Sequence, residues 1–159
     1  MKIPRHGCAV LLCAALSVSA HAQTPSEADP PDPLFVAPDL SGNDSHWIED
    51  PDTGCFAANP APEDGESVSW SGACEDGLIT GRGTLTWYRY GRIVAHDVGT
   101  FARGALTGHG LIEHTDGTRY RGEFPGRGTL TLPGGAVFNA RTRWTGHGWA
   151  IEGVVETPE

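Results

Sequence analysis

Four residues able to carry charge recur at one position of this chain: Arg82, His109, Arg127 and His147 each stand between the two glycines of a Gly-x-Gly. If those glycine pairs mark equivalent points of a repeated two-stranded unit, the four side chains line up along one sheet edge, about 10 Å apart from copy to copy. Such a track suits an extended anionic ligand, and its charge rises as pH falls through the imidazole range. A solvent-exposed turn position that accepts any polar residue gives the same pattern. The spacing puts His109 and His147 about 20 Å apart, too far to share a metal ion. Neither a metal nor a cofactor is expected.

Catalysis needs a nucleophile with a base, or two carboxylates on one surface. Glu113 and His114 are neighbours in an extended stretch and so point to opposite faces. Glu113, Glu123 and Glu152 share no motif, Ser69 and Ser71 flank Trp70 in ordinary alternation, and the chain contains no Gly-x-Ser-x-Gly, His-Glu-x-x-His or phosphate loop. No catalytic residue is assigned, and the protein is not expected to be an enzyme. Trp87, Tyr88, Tyr90, Trp144 and Trp149 could form a stacking surface for a sugar or peptide, or belong to the core.

The element that positions these residues is a glycine-spaced repeat. Trp70-x-Gly72-x-Cys74-x-x-Gly77-x-x-x-Gly81-x-Gly83 matches Asp97-x-Gly99-x-Phe101-x-x-Gly104-x-x-x-Gly108-x-Gly110 position for position. A third copy runs Tyr120-x-Gly122-Glu123-Phe124 straight into Gly126-x-Gly128, and a worn fourth runs Phe138-x-Ala140 to Gly146-x-Gly148. The copies span 70–91, 97–117, 120–135 and 138–153. Alternation after each Gly-x-Gly, as in Thr84-Leu85-Thr86-Trp87, gives a half-buried strand. Its inward positions are expected to be Leu85, Ile112, Leu130 and Ala150, then Trp87, His114, Leu132 and Glu152.

The leading aromatics Trp70, Tyr120 and Phe138 need room, which neighbouring glycines supply. Asp116-Gly117 and Gly134-Gly135 are hairpin-turn dipeptides. One hairpin cannot bury its apolar face alone, so the copies stack. The expected fold is all-β, an elongated twisted antiparallel sheet of stacked hairpins with about eight short strands and almost no helix. Trp149 and Ile151 break the alternation in the last copy. Either its register slips by one residue, or it is a cap, and capping is the expectation.

The pattern of aromatic, x, Gly, acid, aromatic, then spaced glycines and a Gly-x-Gly resembles the MORN repeat over roughly residues 68–153, within a repeat domain expected to span 68–155. Cys74 stands at an aromatic position, and Asp97 replaces a leading aromatic. The resemblance implies tethering to membranes or partner proteins, and self-association in some members.

Ahead of the repeats, Lys2 and Arg5, an apolar run from Cys8 to Val18 and Ala20-His21-Ala22 read as a signal peptide over 1–22. Its removal leaves Cys55 and Cys74 as a pair in an oxidising compartment, where a disulfide is expected, and leaves no transmembrane helix. From Gln23 to Glu66 there are eleven acids and no Lys or Arg, whereas residues 67–159 balance nine Arg against nine acids. Residues 23–52 therefore read as an acidic, Pro-rich disordered spacer. Residues 53–67 read as an irregular arm that the disulfide ties along the N-terminal sheet edge. A chain this acidic does not suit nucleic acid.

The combined expectation is an exported binding or scaffold protein of the cell envelope, periplasmic or secreted. Its partner would be a protein or an anionic envelope surface, lipid or polysaccharide, with self-association through the C-terminal edge strand around residues 149–155. The alternative is a small envelope enzyme, or an accessory to a lytic enzyme, using the sheet trough as a substrate groove.

Overall fold

A computed structural model describes residues 44–153. The segment read as a signal peptide, the part of the expected spacer up to residue 43 and the residues after Gly153 lie outside the described residues.

Hairpin-forming dipeptides punctuate the chain. Asp76-Gly77, Tyr90-Gly91 and Arg103-Gly104 all have positive φ at both residues, the two-residue turn geometry that matches the twist of flanking strands. Between such turns lie eleven strands and, among the described residues, no helix: β1 (Trp47–Glu49), β2 (Phe56–Ala58), β3 (Glu66–Trp70), β4 (Ala73–Glu75), β5 (Leu78–Arg89), β6 (Arg92–Ala102), β7 (Ala105–His114), β8 (Arg119–Phe124), β9 (Gly126–Thr131), β10 (Val137–Trp144) and β11 (Trp149–Gly153). From β5 to β11 consecutive strands pair antiparallel. The result is a curled, open all-β sheet. Copy three needs no middle turn, because β8 passes to β9 through Pro125 alone, after a cis peptide.

The free side of β5 is covered in two halves. β4 and a single parallel bridge from β2 take its start, and β3 takes its end. Cys55, beside β2, is bridged to Cys74 of β4 with a Cα separation of 6.2 Å. The arm is more ordered than its composition suggests, and structure begins inside the segment read as spacer. Trp47 is 7% exposed and Asp50 1% exposed. The Asp50 carboxylate accepts hydrogen bonds from Thr53 Oγ1 (2.7 Å), the Asp52 amide (3.1 Å) and the Trp70 amide (3.2 Å). A buried carboxylate persists only when it is hydrogen-bonded in this way, and these bonds tie the arm to β3.

Glycine pairs make the room the sequence calls for. A Cβ added at Gly83 would lie 2.5 Å from the Trp70 ring, and one at Gly128 would lie 2.6 Å from the Tyr120 hydroxyl. In copy two, where Asp97 replaces the aromatic, Leu106 fills the corresponding space over Gly99 and Gly110. Copy four departs from expectation: Phe138 is 48% exposed, and the buried residues of its strand are Ala140 and Thr142. Its second strand also departs. Trp149 and Ile151 pack against the core, while Glu152 pairs with Arg141 (3.5 Å) and Arg143 (3.1 Å). The expected inward positions Ala150 and Glu152 are thereby corrected. A one-residue slip exchanges the two faces of a strand, and burying Trp and Ile outweighs keeping the repeat in phase.

Candidate functional site

Register places one residue from each of seven strands side by side: Trp70, Leu85, Asp97, Ile112, Tyr120, Leu130 and Phe138. Asp97 alone among them is charged. It stands where the repeat would put an aromatic, midway along an otherwise apolar row on the concave face. Trp87, two residues along β5 from Leu85, donates its indole N–H to Asp97 Oδ2 at 2.9 Å. Burial pushes the Asp97 carboxyl up from its ordinary 3.8 to about 7, and the Trp87 bond partly offsets this by favouring the ionised form. Near neutral pH the acid and the carboxylate are therefore both populated.

Asp97 opens into a cavity of about 460 Å³, within the range of small-ligand sites. Its floor is Leu85, Trp87, Asp97 and Ile112, and Trp144, Trp149 and Ile151 also line it. Arm residues 58–61 contribute further, with Glu63 and Arg89 as an ion pair among the lining residues. The last strand is held in place from across the sheet: Trp149 donates its indole N–H to the Leu106 carbonyl at 2.9 Å and meets Phe124 and Trp144 edge to face. His114 and Asp116 also line the cavity. The Asp116 carboxyl is held below its ordinary range chiefly by the Thr118 amide.

The four Gly-x-Gly residues separate into two groups. Arg82 and Arg127 sit at exposed strand positions and form no ion pair among the described residues. His109, likewise exposed, bonds Glu123 at 2.8 Å across the β7–β8 ladder. His147 leaves this set. The sheet curls until the β10–β11 turn reaches the residues just ahead of β1, where the His147 and His46 rings stack with centroids 3.9 Å apart. Asp44, His46 and His147 are the grouping that could hold a metal ion among the described residues.

Of the candidate stacking aromatics, Trp87, Trp144 and Trp149 line the cavity. Tyr90 is a turn residue at positive φ, packed on Gly65. Asp97 and His46 are not among the site residues that the sequence spacing suggests. For Asp97 the signal was present: a charge at an inward position that the other copies give to large apolar side chains. Nothing in the sequence spacing connects His46 to His147, since the curl of the sheet brings them together. Among the described residues no helix is long and apolar enough to cross a membrane, and the Cys55–Cys74 bridge is compatible with an exported protein. Comparison with known proteins finds no matching family model, no matching curated protein and no matching solved structure.

Proposed function

We propose that this is an exported MORN-like binding module of the cell envelope, periplasmic or secreted, and that its trough takes a small amphipathic ligand whose donor group meets Asp97. The observation that carries this reading is the Asp97 carboxyl, set among Leu85, Ile112, Trp87 and Trp149 in a cavity of ligand size whose lining also includes Glu63, Glu66 and Asp116. An apolar or aromatic body would bury against the indoles, while a protonated amine or hydroxyl would hydrogen-bond Asp97. A bound ammonium would also favour the ionised carboxylate that burial disfavours. The test uses phenethylamine as probe and phenylacetate as its anionic counterpart, following the Trp87 indole N–H resonance. The reading expects phenethylamine to shift that resonance and phenylacetate to leave it unmoved, with the response lost in Asp97→Ala. Equal response to both probes, or none to either, refutes it.

The outward face supports a second contact, with an anionic envelope surface, through Arg82 and Arg127. Retention on phosphatidylglycerol vesicles should fall in Arg82→Ala/Arg127→Ala; unchanged retention removes this contact. The enzymatic alternative draws on the same Asp97, since a carboxyl poised near neutrality suits proton transfer. Against it, the His–carboxylate pairs His46–Asp44 and His109–Glu123 do not line the cavity.

A further inference from the structure

Away from the trough, three side chains of metal-binding type meet where the two ends of the described chain approach each other. Asp44, His46 and His147 each offer one ligand atom, and the three atoms lie within 4.8 Å of one another. Asp44 Oδ1 is 3.2 Å from His46 Nδ1, and the two imidazole planes are inclined by 26°.

Backbone contacts hold the grouping from both sides. The Asn59 amide donates to the His46 carbonyl at 2.8 Å, and the Trp47 amide donates to the Asp44 carbonyl at 3.0 Å. Facing them, the Thr145 amide donates to the Gly148 carbonyl at 2.9 Å and closes the turn that carries His147. Gly148 is pressed so closely on the arm that an added Cβ would lie 2.9 Å from Pro60 Cα. The glycine required at that contact brings His147 against His46.

We infer that Asp44, His46 and His147 form a binding site for a divalent first-row transition metal, with zinc as the reference ion. Two imidazole nitrogens and one carboxylate oxygen match the preference of borderline cations; calcium and magnesium favour oxygen ligands throughout. Tetrahedral zinc with bonds of about 2.0–2.1 Å separates its ligand atoms by about 3.3 Å. The widest pair, within 4.8 Å, must therefore close by at most about 1.5 Å, which side-chain rotation can provide at these partly exposed positions. Three protein ligands leave the fourth position open to water or to a donor from an incoming molecule. The ion would cross-link the segment just ahead of β1 to the β10–β11 turn and pin the curl of the sheet, whose cavity Gly148 and Pro60 also line.

The test is competition for zinc between the full chain and a chromophoric chelator, with cobalt as a spectroscopic substitute. The wild-type chain should take up one equivalent of zinc at least 100-fold more tightly than Asp44→Asn/His46→Ala/His147→Ala. His109→Ala/Glu123→Gln, which removes the other His–carboxylate pair, should bind as wild type does. Cobalt should broaden the His46 and His147 ring resonances selectively, a readout that needs no variant. Equal zinc uptake by wild type and the triple variant, loss of uptake in the His109 variant, or broadening centred elsewhere overturns the assignment.

Discussion

Replacing Asp97 by Asn should make the protein more stable above neutral pH and change it little near pH 4. The Asp97 carboxyl titrates at about 7 in the folded chain against an ordinary 3.8. Below about pH 4 it is protonated in both folded and unfolded chains and costs nothing. As pH rises from 4 to 7 the unfolded chain releases the proton while the folded chain retains it, so stability falls across that window and levels off above it. A rise from 3.8 to about 7 corresponds to a ceiling of about 4 kcal/mol. Because the side chain is only half-buried and opens into a cavity, about 2 kcal/mol is the expected size. Asn keeps an oxygen to accept the Trp87 N–H and carries no titrating proton. The assay is urea unfolding followed by tryptophan fluorescence at intervals from pH 4 to pH 8.5, with the wild-type stability subtracted from that of the variant at each pH so that all other titrating groups cancel. The difference should grow by about 2 kcal/mol between pH 4 and pH 8. A difference that is flat with pH would refute the claim that burial holds this carboxyl protonated.

Two further outcomes test the scaffold. Gly83→Ala places a methyl 2.5 Å from the Trp70 ring and should lose about 1–3 kcal/mol in urea unfolding, whereas Gly153→Ala, with nothing within 4 Å, should stay within about 0.5 kcal/mol of wild type. Equal effects would mean that the glycines are not there to make room. Cys55→Ser/Cys74→Ser opens a loop with a sequence separation of 19 and should lose about 3 kcal/mol, and a loss below about 1 kcal/mol would show that the Asp50 bonds alone hold the arm.

Local chemistry made the fold legible. Strand alternation follows from the two-residue period of extended chain, and Leu85, Ile112 and Leu130 pack against the core as that period requires. Glycine beside Trp70 and Tyr120 could be read directly, because a ring lying on backbone leaves no space for Cβ. The Cys55–Cys74 bridge could be read by elimination, once the signal segment takes the other two cysteines. What period and spacing do not encode is how far the sheet curls. Curl is set by side chains from distant strands meeting on the concave face, such as Trp149 reaching the Leu106 carbonyl. That contact overrides the local phase of the last copy, moves Glu152 to the outer face, and carries His147 out of the expected ladder to His46. The position of Asp97 in the sequence marked an anomaly in the repeat. Only the register of seven strands and the closing of the trough over it made that anomaly a half-buried carboxyl whose proton is held up to about 7.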